Sequence, residues 1–367
     1  MSCRPIINDM LPRYNHSAGM RNAIFNIILA SYLCLPLEAG SQGMETVFYY
    51  VDREECLRSF RENIEHITIV APQVYSMDAD GVIWGSVDSR MMALAKAHGV
   101  QVMPLVMNPG FNQQMLHNAL QNPVARRRAV NTMGALCQTH GFMGIQFDFE
   151  NIHIDDRKAF TQFFRETAEV LHKKGFQISA AVVPRTGNFA GRIKYSKWIF
   201  KYWRSGYDLR ALGKISDFIS IMTYDQHTRL TTPGSVAGMP WLEENLKFVL
   251  SRVPARKVSI GFPLYSRHWF PDVAEDRAAT GSRGVSYERA TAILEQNGAT
   301  PLWLEDQGVH MAMFPNQGGQ FEYLFLEDER SFQAKLKIIG KYGLRGFSAW
   351  RLGHENPEVW KLLEQHR

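Results

Sequence analysis

The stretch GIQFDFENI, residues 144–152, decides how the rest of the chain is read. It is short and apolar, opens on Gly144 and is flanked by helical patterns, which is the profile of a buried β-strand. Side chains alternate faces along a strand. Gln146, Asp148 and Glu150 therefore share one face, and Ile145, Phe147 and Phe149 share the other. A carboxylate removed from water is costly unless it is paired or protonated. Two of them about 7 Å apart along one strand raise each other's cost, so one is expected to hold its proton near neutral pH. A carboxylic acid kept protonated is what general-acid catalysis needs. The competing explanation is a structural pair neutralised by buried arginines.

The same rhythm repeats on both sides of this strand. Strand-like runs occur at 46–51, 67–72, 101–107, 144–150, 178–184, 217–224, 257–264 and 346–352, with amphipathic stretches between them. Several of those stretches end in Gly after a basic residue or His, a helix C-terminal signal. Eight strands alternating with helices predict an α/β fold, a (β/α)8 TIM barrel, with an open doubly wound sheet as the alternative. No GxGxxG follows the first strand. The long gap before the last strand predicts a small α+β insertion between strands seven and eight, at about 266–331. In a barrel the inward face of each strand leads to the C-terminal mouth, where active sites are built. Glu150 is then the rim residue, with Asp148 and Gln146 beneath it.

The chain has 367 residues and a net charge of +5, with Lys and Arg dispersed along it. Arg126–Arg128 is the one dense basic run and reads as a solvated helix face, which argues against a nucleic-acid partner. Ala23–Leu35 is an apolar run preceded by Arg21, too short for a membrane span but suited to a signal-peptide core. Residues 1–39 are therefore expected to be a signal peptide or an uncleaved anchor, residues 40–367 the catalytic barrel, and the protein exported. Cys56 and Cys137 lie in helical patterns without metal-type spacing and are expected to be buried thiols, with a disulfide as the alternative. The twelve His residues form no HExxH motif.

The fourth strand, from Gly144 to Glu150, resembles the DGxDxDxE signature of glycoside hydrolase family 18, the chitinase-like barrels. Met222, Thr223, Tyr224 and Asp225 resemble that family's sixth-strand motif, and Trp350 stands where its eighth strand supplies the floor of the sugar subsite. The resemblance is strongest to the branch of bacterial spore-cortex and cell-wall N-acetylglucosaminidases. Met143 and Gln146 stand where the signature has Asp. An amide at Gln146 can hydrogen-bond Asp148 but cannot share a proton with it.

The resemblance implies a retaining hydrolase of β-1,4 bonds in N-acetylglucosamine-containing glycans, of peptidoglycan or chitin type. Glu150 is the implied acid and base, and Asp148 orients the substrate's acetamido group. Tyr224 donates to the acetamido oxygen. Trp350, Asp225, Met222, Tyr49 and Gln146 are placed around the substrate, and Tyr75, Asn108 and Arg185 at strand ends are further candidates. No metal or organic cofactor and no protein partner is implied, and a monomer is expected. Two rival readings remain: a chitolectin-like barrel that binds glycans without turnover, and a scaffold that kept the barrel alone.

Overall fold

The computed structural model describes residues 43–272 and 279–365. The expected leader at residues 1–39 lies outside the described residues. Eight strands run, in chain order, Glu45–Tyr50, Ile69–Met77, Leu105–Met107, Gly144–Asp148, Gln177–Val182, Phe218–Ile221, Val258–Pro263 and Gly346–Trp350. Each pairs in parallel with the next, and the first also pairs with the eighth, Glu45 opposite Gly346. The sheet is closed, so the (β/α)8 barrel is the fold and the open doubly wound alternative is excluded.

The fourth strand is fixed from both sides. Outward, Phe147 and Phe149 meet Phe160 and Phe163 of the helix Arg157–Lys173, and Phe164 joins them on Phe147. The Phe147 ring centroid lies 5.1 Å from that of Phe163 and 5.2 Å from that of Phe164. These helix positions recur at the three- and four-residue spacing that makes one buried face. Inward, Gln146 donates to Ser179 Oγ at 2.9 Å and to Ser220 Oγ at 3.0 Å. The polar contact continues from Ser220 to Ser348 at 2.8 Å and from Ser348 to Ser259 at 2.6 Å. A one-residue slip would drive these aromatic rings into the serine layer, so the parity of Asp148 is strongly enforced. The strand also begins where only glycine fits: a Cβ on Gly144 would sit 2.0 Å from the Gln177 carbonyl oxygen.

Between strands seven and eight lies a five-stranded antiparallel sheet in the order Ala279–Val285, Ser266–Asp272, Phe321–Leu326, Val309–Pro315, Leu302–Leu304. The helix Tyr287–Gln296 covers it, packing Ala290, Ile293 and Leu294 against Ala312, Phe314 and Leu324. This is the expected α+β insertion. Its first two strands carry Arg, Gly, Ser and Pro among few aliphatics and show no alternation, so they pass unnoticed in the sequence. Cys56 and Cys137 are buried free thiols. Arg127 and Arg128 are exposed, whereas Arg126 is half-buried and pairs with Glu166.

Candidate active site

At the C-terminal ends of the strands a cavity of about 320 Å³ opens. Asp148, Glu150, Tyr49, Met222, Tyr224, Asp225 and Trp350 all line it, so seven of the eight residues expected to face substrate converge there. Gln146 is the exception. It lies one layer deeper, is fully buried, and its amide faces the serine layer. The expected contact from Gln146 to substrate, and its hydrogen bond to Asp148, are both corrected: the side chain supports the floor from beneath.

The amide that does meet Asp148 is Gln73, whose Nε2 donates to Oδ2 at 3.0 Å. The sequence pattern ends the second run at Pro72, but the strand continues to Met77 and carries Gln73 into the cavity wall. Asp148 is only 3% exposed. Burial pushes its carboxyl up to about 6, and the Gln73 donor opposes that rise. Glu150 is held well above the ordinary carboxylate range, first by burial and then by the Asp148 and Asp225 charges. The environment therefore favours one proton on the pair near neutral pH, with Glu150 its holder.

Glu150 is also held through its backbone. Asn108, fully buried, donates from Nδ2 to the Glu150 carbonyl at 2.9 Å and accepts from the Glu150 N–H at 3.0 Å. Asn151 follows at φ 55°, turning the chain sharply, and its Nδ2 donates to the Phe111 carbonyl at 3.0 Å. Asn108 was expected to touch substrate; its amide is instead committed to fixing the acid. Tyr75 and Arg185 also depart from expectation. An extra residue between Gln73 and Tyr75 shifts the register against the third strand, so Tyr75 turns outward onto Phe142. Arg185 is buried and donates from Nη2 to the Tyr207 carbonyl at 3.1 Å.

The sixth strand ends at Ile221, but its parity persists. Thr223 donates outward to the Gly261 carbonyl at 2.7 Å, leaving Met222 and Tyr224 facing the cavity. Burial keeps the Tyr224 phenol protonated, a hydrogen-bond donor at any working pH. Asp225 turns out at φ 57° and accepts from Tyr265 and Arg267. Those two partners come from the junction with the insertion and were not legible in the sequence. Trp350 ends the eighth strand with its ring 5.5 Å from that of Tyr49. Trp203, in edge contact with Phe111 at 5.9 Å, completes an aromatic wall from the helical turn Phe200–Arg204 in the connection after the fifth strand.

The cavity offers a protonated acid, a second carboxylate held by an amide, a phenolic donor and aromatic faces. Comparison with known proteins agrees with this chemistry. Residues 46–355 match the family model "Glycosyl hydrolases family 18". The chain is 27% identical over 315 residues to a cortical fragment-lytic enzyme of Bacillus subtilis, covering 84% of this chain and 70% of that protein. It is 24% identical over 333 residues to the B. subtilis glycosylase YvbX, covering 89% of this chain and 92% of that protein. Among solved structures, a chitinase from Chromobacterium violaceum superposes with a TM-score of 0.78 at 25% identity, covering 88% of this chain and 98% of that one. The spore cortex-lytic enzyme SleL of Bacillus megaterium shares the fold with a TM-score of 0.78 at 21% identity, covering 88% and 74%. With the match spanning nearly the whole described barrel and an acid-bearing cavity at its mouth, the chain belongs to glycosyl hydrolase family 18 and is a glycosidase.

Proposed function

We propose that the protein hydrolyses β-1,4 bonds next to N-acetylglucosamine with retention of configuration, using the substrate's own acetamido group as nucleophile. The observation that carries this reading is the pairing of Asp148 with Glu150 on one wall of the cavity, with Glu150 held protonated. A retaining enzyme with a protein nucleophile needs a second carboxylate at the anomeric carbon; substrate-assisted families do without it. Asp148, fixed by Gln73, suits the other task, that of accepting the acetamido N–H. Glu150 protonates the leaving glycosidic oxygen while the acetamido carbonyl oxygen attacks the anomeric carbon. The resulting oxazolinium ion is stabilised by the Asp148 charge and by the Tyr224 hydroxyl at its oxygen. Glu150, now a carboxylate, takes a proton from the incoming water and is restored. Trp350 packs against the apolar face of the sugar.

Bacterial wall glycan is the substrate favoured by the cortex-lytic relatives, with chitin-type glycan second. Reading residues 1–39 as an export signal fits an enzyme whose polymer lies outside the cell. One alternative is a barrel that binds glycan without turning it over, as this cavity would if the acid did not act. Product analysis by mass spectrometry separates the readings, with peptidoglycan and chitooligosaccharides offered separately and Glu150→Gln protein alongside. Fragments ending in reducing N-acetylglucosamine from peptidoglycan, absent with the variant, are the expected result. Cleavage of chitooligosaccharides alone would move the substrate to chitin, and binding without cleavage of either would overturn the hydrolase reading for the binding one.

A further inference from the structure

The connection from the fifth strand to the helix Leu209–Ile215 has an unusual charge pattern. From Arg185 to Arg204 it carries six cations and no carboxylate. Arg185 is buried and Arg204 half-buried, and each has an unmet Nε donor. Arg185 is 4% exposed; its Nη2 has the Tyr207 carbonyl, but its Nε meets no acceptor. Arg157 and Arg252 add like charge around it, and Asp208 offsets them only in part. Arg204 also has a buried Nε without an acceptor. Both arginines line one cavity of about 90 Å³, together with Thr186, Gly191, Ser196 and Phe200 and with no acid. A guanidinium withdrawn from water without a full counter-charge is destabilising, and a site that keeps one buried and one half-buried beside a small void with no acid in its lining is shaped for an anion. Guanidinium groups match carboxylate and phosphate oxygens in geometry as well as charge.

This pocket is one residue away from the catalytic cavity. Trp203 lines the catalytic cavity and Arg204 lines the anion pocket. Aromatic rings lead outward from Trp203: Trp198 at 6.5 Å, then Tyr195 at 6.0 Å from Trp198. Lys194, Lys197 and Lys201 stand exposed along the same path. Rings that pack sugar faces and cations that attract acids thus lie along one segment, which reaches the catalytic cavity through Trp203.

We propose that the Arg185–Arg204 pocket binds an acidic substituent, of carboxylate or phosphate size, carried by the glycan whose reacting sugar occupies the catalytic cavity. The enzyme then selects acid-bearing N-acetylated glycans over neutral ones. This rests on the reading of the cavity as the glycan-cleaving site.

The test uses the full chain and two N-acetylated oligosaccharides of equal length, one with free carboxylates on its non-reacting sugars and one with those carboxylates amidated. Wild-type protein is expected to show a KM about tenfold lower for the acidic substrate at low salt. Arg204→Gln is expected to abolish that preference by raising KM on the acidic substrate alone, with kcat and the neutral substrate unchanged. Lys197→Gln combined with Lys201→Gln, both exposed positions, is expected to weaken the acidic substrate about threefold and serves if the Arg204 variant does not fold. Equal KM for both substrates in wild type would overturn the proposal and leave water as the partner of the two arginines. Inorganic phosphate or acetate that raises the melting temperature and affects both substrates equally would also overturn it, assigning the pocket to a free anion. If wild type cleaves neither substrate, the glycosidic reading fails separately. Calorimetric titration of the two oligosaccharides into Glu150→Gln protein then still decides the anion preference, with equal affinities refuting it.

Discussion

Replacing Asp148 by Asn should stabilise the protein at neutral pH and do almost nothing in acid. The side chain is 3% exposed, and burial raises its carboxyl from 3.8 to about 6. Below the unfolded value, the folded and unfolded chains both carry the proton and the group has no effect on their balance. Between the two values, the unfolded chain has released the proton while the folded chain still holds it. Stability therefore falls as pH rises through that window, by about 1.4 kcal/mol per pH unit and about 3 kcal/mol in total. From about one unit above that folded value the loss is complete and constant. The amide of the Asp148→Asn variant would remain neutral throughout, and its oxygen can still accept from Gln73. With unfolding entropy near 2.1 cal/mol/K per residue over the roughly 320 described residues, about 3 kcal/mol corresponds to about 4 °C. The assay is the melting temperature of both proteins from pH 4 to pH 8. The variant should match wild type near pH 4, pull ahead through pH 5 and 6, and hold a lead of about 4 °C above pH 7. A gap independent of pH, or a variant that loses ground as pH rises, would show that Asp148 is not a desolvated carboxylate.

Gln73→Leu removes the donor that favours the charged form of Asp148. A hydrogen bond to a charged group is worth about 1.5–3 kcal/mol, so the acid limb of the kcat/KM profile should move up by about 1–2 pH units. An unmoved limb would mean that this profile does not report Asp148. Asn108→Ala deletes both hydrogen bonds that clamp the Glu150 backbone and leaves buried groups unmet. It should cost about 2–4 kcal/mol in chemical denaturation and lower kcat more than it raises KM. Tyr224→Phe should reduce kcat/KM by about 10- to 100-fold on N-acetylated substrate, with melting temperature nearly unchanged. A loss confined to stability would return Tyr224 to the core.

The fold and the two acids were legible because strand four states both in one line. Its aromatic face dictates a packed helix outside, and its polar face dictates a mouth inside. What stayed hidden has local causes. Gln73 lies beyond Pro72, which reads as a strand end; in the barrel Pro72 sits within the strand, opposite Tyr50. Parity places Tyr75 on the active face, and parity fails across the bulge that follows Gln73. Tyr265 and Arg267 reach Asp225 from residues where barrel passes into insertion, a contact between segments about forty residues apart that no periodicity encodes. Trp203 comes from a single wide helical turn, Phe200–Arg204, too short for a sequence pattern to count.

The positions of the two glutamines change what the neutral amide in strand four means. If Gln146 were the partner of Asp148, an amide in place of an acid would leave the central carboxylate without a group able to take its proton. In the structure Gln146 is committed to Ser179 and Ser220, and the contact passes on to Ser348 and Ser259. That layer is neutral throughout, so it supports the floor of the cavity without adding charge under Asp148. The protonation of Asp148 is then set by desolvation, by the opposing Gln73 donor and by its coupling to Glu150. Glu150 feels the outcome directly, because the Asp148 charge is the second cause of its raised carboxyl. The more Asp148 is ionised, the more firmly Glu150 keeps the proton it must deliver. An amide at position 146 is compatible with turnover for this reason: the protonation of the site is governed between Asp148 and Glu150 and needs no third acid below them.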